Sequence, residues 1–214
     1  MSQATKDQKL VQYLSEAYGK EKELEAALGT HIQMTDRAPY RKRLQQHLKE
    51  TRNHARLVER RVAKLGGGGH LLHKIAARAS AMAKGPIHAM RGRSDEEKLL
   101  KNAKSEYSEE AEEIATYTAI ETLAEEVGDS ETAKLAREIR REEERMAAFL
   151  SRQIPVLTKA VARAEIPANE RDGGRSKRAR RRTTSRRRGT QARTGGPPSR
   201  APARSRTEGN AART

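Results

Sequence analysis

Residues 19–28 read GKEKELEAAL, the middle of an amphipathic helix with one member out of place. Leu10, Leu14, Ala17, Leu24 and Leu28 recur at i, i+4, i+7, i+14 and i+18, the spacing of a buried helical stripe. The position that should continue the stripe, i+11, is Glu21. A carboxylate on a core-facing position is costly unless something neutralises it, because burial strips its hydration. The fold and the chemistry both follow from asking what Glu21 meets.

Working outward, residues 7–34 form one helical pattern, closed by the turn Thr35-Asp36-Arg37-Ala38-Pro39. Asp36 is the expected cap of a second helix, with Pro39 tolerated in its first turn. The second stripe runs Leu44, Leu48, Thr51, Ala55, Val58, Val62, Leu65 and stops at Gly66–Gly69. Residues 70–83 suit a short helix ended by Gly85-Pro86. Ser94-Asp95-Glu96-Glu97 is a capping box that opens a third long helix, which ends at Gly128. Asp129 or Ser130 caps a fourth that reaches at least Gln153, after which Pro155 is expected to kink or restart it.

Short loops within each pair of long helices imply two antiparallel hairpins. A break of about 30 residues between the second and third is the crossover a bundle needs to return to the same end. The predicted fold is all-α, a four-helix bundle over residues 1–166. Beyond it, residues 167–214 are rich in Arg, Gly, Pro, Ser and Thr and carry little to bury, which predicts a disordered tail.

Composition sets further bounds. There is no Cys, which excludes disulfides, iron–sulfur clusters and thiolate zinc sites, so any metal must be held by His and carboxylates. No apolar run is long enough to span a bilayer and the N-terminus lacks the apolar region of a signal peptide, so the expected location is the cytoplasm. The net charge of +16 is uneven. From Arg171 onward 15 Lys and Arg face two acids, leaving 30 and 27 before it, so the tail carries +13 and the remainder +3. An acidic partner is therefore expected for the tail alone.

Every long helix repeats the anomaly of Glu21. The third stripe is Ala103, Glu106, Glu110, Glu113, Tyr117, Ile120, Ala124, Val127, and the fourth is Ala136, Ile139, Glu143, Met146, Leu150, Ile154, Leu157, Val161. The second helix has Glu50 and His54 one turn apart beside its stripe. Acids turned inward from four helices would repel one another unless cations lay between them. In carboxylate-bridged dimetal bundles, two helices each give a Glu and the other two each give a Glu and a His. Glu21, Glu50, His54, Glu113 and Glu143 satisfy most of that inventory, which suits Fe or Mn, with Zn as an alternative. His47, Glu106 and Glu110 share inward faces as optional members. Glu23, Glu25, Glu112 and Glu144 read as solvated. Against all this stands the plain alternative of solvated acids on Glu-rich helices.

The segments YLSEAYGKEKELEAAL, HLKETRNHARLVER, EEAEEIATYTAI and REEERMAAFL, in this order and spacing, resemble the YciE/YciF family of ferritin-like stress proteins, over about residues 8–160. The basic tail resembles actinobacterial members. The resemblance implies a ferritin-like bundle, a homodimer and a site like a di-iron centre. It implies Glu21, Glu50, His54, Glu113 and Glu143 as ligands, with Glu110 and Glu144 as the nearest alternatives. It would also want a second His or Asp one turn after Glu143, where Met146, Ala147 and Ala148 stand. The second of two irons is then expected to lack a protein ligand, to keep water, or to be missing. Tyr117, one turn from Glu113, is either a donor to a ligand, a redox-active ring, or core packing.

In the tail, GGRSKRARRRTTSRRRGTQAR presents Arg175, Lys177, Arg178, Arg180, Arg181, Arg182, Arg186, Arg187 and Arg188. Arg forks suit phosphate, and without interleaved aromatics the expected binding to DNA or another polyanion is electrostatic and independent of sequence. Two functions follow: a stress-response dimetal protein, oxidising iron with peroxide or oxygen near the nucleoid, or a non-enzymatic DNA-associated bundle.

Overall fold

A computed structural model describes residues 3–82 and 94–171. Five helices are present among them: α1 (Gln3–Met34), α2 (Ala38–Lys64), α3 (Gly69–Met82), α4 (Asp95–Val127) and α5 (Ser130–Glu165). There is no strand among the described residues. The Arg block of the tail, and Gly85-Pro86, lie outside them.

The helix ends follow local chemistry. Ser94 caps α4 by accepting the Glu97 N–H at 3.2 Å. Gly128 closes α4 with φ of 78°, a left-handed conformation that costs other residues a Cβ clash. Asp129 then caps α5 by accepting the Thr132 N–H at 3.0 Å. Two expectations need correction. Arg37, in extended conformation and without a side-chain cap, precedes α2 in place of Asp36, and Pro39 supplies the preset turn. Helix α5 runs unbroken through Pro155 to Glu165. Leu157 beyond it is fully buried, so packing offsets the backbone bond that Pro155 removes.

Helices α1 and α2 pack as one hairpin and α4 and α5 as the other. The hairpins meet through α1 with α4 and α2 with α5, and α3, on the crossover, lies against α1. A Cβ added at Gly19 would come within 2.9 Å of Ile75, so the bare backbone there admits α3. Arg61 of α2 ties the hairpins at one end, donating to Asp129 and Glu131 at 2.5 Å each and to Thr132 at 2.7 Å.

The apolar core is divided. One block holds Leu14, Ala17, Val58, Val62, Ile120 and Ile139. A second holds Leu24, Leu28, Leu44, Ala103, Met146 and Leu150, and a smaller third holds Leu10, Ala124 and Ala133. Between them each long helix turns polar residues inward: Glu21, His47 to His54, Glu106 to Glu113, and Glu143. This layer crosses the bundle at mid-height, between the two larger apolar blocks.

Candidate metal centre

On α1, Glu21 is fully buried, one turn from Ala17 and Leu24 of its stripe. The Tyr117 hydroxyl donates to its Oε1 at 2.5 Å, while Oε2 has no hydrogen-bond partner among the described residues. The Tyr117 ring packs in the apolar core while its hydroxyl makes this bond.

Helix α2 supplies two histidines. His47 and His54 are seven residues apart, two turns along one face, and both are buried. His54 Nδ1 lies 2.8 Å from Glu143 Oε1 and 3.5 Å from Glu21 Oε1. His47 Nε2 lies 2.8 Å from Glu110 Oε1 and 3.8 Å from Glu143 Oε2. Glu143 therefore presents one oxygen to each imidazole. Two groups share it: Glu21, His54 and Glu143, and His47, Glu110 and Glu143, each with ligand atoms gathered within 4.8 Å. Close as they are, His54 Nδ1, His47 Nε2 and both oxygens of Glu110 and Glu143 have no hydrogen-bond partner among the described residues.

The outer nitrogen of each imidazole is held by a further carboxylate. His54 Nε2 lies 2.8 Å from Glu142 Oε2, and His47 Nδ1 lies 3.4 Å from Glu50 Oε2. A carboxylate behind a ligating His fixes the ring and raises its basicity. This relocates Glu50. Partly buried and bonded to Arg43 at 2.9 Å, it is outside both groups and lies behind His47. Glu144 is also outside, exposed and paired with Arg140. Glu113 is 3% exposed, with neither oxygen partnered among the described residues. It lies one turn from Glu110 but belongs to neither group of three.

Two of the residues after Glu143 bear on the expected gap, and a second imidazole faces the same layer from α2. Met146 packs in the core, and the second imidazole comes from His47. A second stripe that includes Leu48, which is only half-buried, leaves His47 beside it. The seven-residue spacing of His47 and His54 was the available signal.

Electrostatics describe a strained site without cations. Burial alone would lower His47, but the carboxylates of Glu110 and Glu50 outweigh it and hold the ring at about 10. His54 is likewise carried past its burial to about 11 by Glu143 and Glu21. Burial pushes Glu110 up to about 8 against the pull of His47. Burial also pushes Glu113 well above the carboxylate range, and Glu21, Glu143 and Glu110 add to it. Burial opposes ionisation of Glu143 too, yet His54 and His47 keep it low.

The donor set fits a pair of divalent ions. The two groups hold three carboxylates and two imidazoles, and Glu113, one turn from Glu110, brings the layer to four carboxylates, whose charge two divalent cations would cancel. The count of four Glu and two His equals that of carboxylate-bridged dimetal bundles. Its distribution differs, with both imidazoles on α2 and a Glu pair on α4.

Helix order, crossover and inward His and Glu define a ferritin-like bundle with a potential metal site. Residues 5–163 match the family described as "Domain of unknown function (DUF892)", and the chain belongs to it. This is the family type of the YciE/YciF resemblance. Two solved structures share the fold. A Xanthomonas campestris pv. campestris protein matches at 23% identity and a TM-score of 0.60, covering 75% of this chain and 98% of that one. The E. coli stress protein YciF matches at 22% identity and a TM-score of 0.56, covering 72% and 97%. Among the described residues no helix is long and apolar enough to cross a membrane.

Proposed function

We propose that this chain is a ferritin-like dimetal protein of the oxidative stress response that binds two iron ions and oxidises Fe(II). Manganese or zinc are the alternatives at the same residues. Glu143 carries the reading, because its two oxygens face different His-containing groups, as a bridging carboxylate must.

Glu21 and His54 would hold one ion, His47 and Glu110 the other, with Glu143 between them and Glu113 beside Glu110. Two Fe(II) ions bound by these residues would supply the two electrons that, with two protons, reduce peroxide to two waters, leaving two Fe(III); oxygen is the alternative oxidant. The chain's own residues prepare this. Tyr117 pins Glu21 Oε1 and leaves Oε2 for an ion. Glu142 and Glu50 turn the inner nitrogens of His54 and His47 toward Glu143 and Glu110. The flanking apolar blocks exclude bulk water, which strengthens each charge interaction.

The test is metal content and thermal stability of the full chain purified with Fe(II), Mn(II) or Zn(II), beside Glu21→Ala and Glu143→Ala. Two ions per chain, lost in both variants, with Fe(II) oxidation on adding peroxide, is the expected result. A metal-free wild type with stability unmoved by any ion would refute the reading.

The tail, reading on from the bundle at about residue 167, is proposed to hold the protein on DNA as a cytoplasmic, nucleoid-associated homodimer. Its Arg block is the support for this. If about seven of its charges met phosphates, log K would fall by roughly 6 per decade of salt. A gel shift comparing the full chain with residues 1–168 tests it, and equal affinity would rule it out.

A further inference from the structure

A second buried pairing of imidazole with carboxylate lies apart from Glu143. His31, near the end of α1, and Glu106, on α4, are 2% and 0% exposed. His31 Nδ1 and Glu106 Oε1 approach to 2.8 Å, yet neither has a hydrogen-bond partner among the described residues. This is the relation already seen between His54 and Glu143 and between His47 and Glu110: near, but not aimed along a shared proton. The other Glu106 oxygen, Oε2, accepts the Tyr40 hydroxyl at 2.5 Å, just as Glu21 accepts Tyr117. In both places a tyrosine pins one oxygen; the other oxygen of Glu106 faces His31.

Helix α4 adds two more groups on the same line. Asn102, Glu106, Glu109 and Glu113 follow at i, i+4, i+7 and i+11. Asn102 is 1% exposed, with neither its amide oxygen nor its nitrogen partnered among the described residues. Glu109 is partly exposed, but its Oε2 is buried and likewise unpartnered. A structural ion pair between His31 and Glu106 would leave these atoms unexplained, and unpartnered buried polar atoms are costly.

We propose that His31, Glu106 and Glu109 form a third cation site, distinct from the pair around Glu143, for a divalent first-row transition-metal ion. An imidazole with carboxylates is a donor set such ions accept. Unlike the groups around Glu143, these three are not gathered within 4.8 Å. Glu109, the partly exposed member, is the one that closes on the ion, and it gives the site its access to solvent. This goes beyond the dimetal reading and does not depend on it.

The experiment titrates metal-stripped full-length protein with Co(II), reading stoichiometry by equilibrium dialysis and visible absorption. Its variants are His31→Gln, Glu106→Gln and the double His47→Gln/His54→Gln. Glu106→Gln keeps an acceptor for Tyr40, so it guards against a mere folding defect. Three ions in wild type, two in either single variant and one in the double variant is the expected pattern. One ion in wild type, lost in the single variants and kept in the double, supports this site while removing the dimetal reading. Two ions in wild type, unchanged in both single variants, overturns the site and leaves His31, Glu106 and Tyr40 as a structural cluster. Absence of any bound Co(II) overturns it as well.

Discussion

Replacing Glu113 with Met should make the metal-free protein more stable and the metal-loaded protein less responsive. Glu113 is buried, neither oxygen has a partner among the described residues, and Glu21, Glu110 and Glu143 surround it. A buried polar group left unpaired costs about 1–3 kcal/mol. Met is close to Glu in size and unbranched, so it removes that cost without opening a large cavity. At about 2 kcal/mol the metal-free melting temperature rises by roughly 4–8 °C for a chain of this size.

The gain depends on pH in a defined sense. Glu113 is held above its ordinary value, so it destabilises the folded state wherever the unfolded chain ionises and the folded one does not. The advantage of the variant is therefore smallest below about pH 4 and grows as pH rises toward neutrality. Metal acts the other way. With free ion 1,000-fold above Kd, wild type gains about 4 kcal/mol, whereas a variant bound a hundredfold more weakly gains about 1.4 kcal/mol. The difference of about 2.7 kcal/mol exceeds the starting advantage, and the order of stability reverses. Scanning calorimetry of both proteins at pH 4 and pH 7, with and without Mn(II), measures all of this. A metal-free variant that melts below wild type at pH 7, together with no Mn(II) shift in wild type, would refute the reasoning and make Glu113 a packed structural acid.

Three further outcomes are expected. Metal binding at pH 7 should release at least two protons, because His47 and His54, raised to about 10 and 11, are protonated without metal and must lose that proton to ligate. Calorimetric titration in buffers of different ionisation enthalpy counts them, and no buffer dependence would contradict the assignment. Glu50→Ala should weaken metal binding by about 10–100-fold while keeping its stoichiometry, as the loss of a carboxylate behind a ligating His does. Loss of a whole equivalent would return Glu50 to the ligand set. Asp129→Ala should cost about 1–2 kcal/mol at pH 7 through the lost cap. Arg61 and the Thr132 N–H depress Asp129, so its charge contribution is present above its ordinary range and fades as pH falls through its folded value. Thermal melts at pH 7 and pH 3 should show the gap narrowing, and a constant gap would exclude a role for the charge.

The helices were legible because their signals are local. Ser94 with Glu97, Gly128 at positive φ and Asp129 before Ser130 each act within one turn of chain, so neighbours in sequence suffice to place them. The inward carboxylates Glu21, Glu110, Glu113 and Glu143 were legible too, since they interrupt apolar stripes of period 3.6.

What a stripe cannot give is its own rotation. Adjacent positions differ by about 100° around a helix, so centring α2 on Leu48 or on His47 depends on which side faces α4 and α5. Packing against those helices turned His47 inward, left Glu50 on the rim beside Arg43, and placed Glu143 between two imidazoles. Residues far apart in the chain, such as Glu143 and His47 or Glu21 and Tyr117, meet through such packing. Periodicity along a helix reports which residues could be buried together; only the closing of four helices around one layer selects the partners, because each imidazole and carboxylate is positioned by the backbone of a different helix.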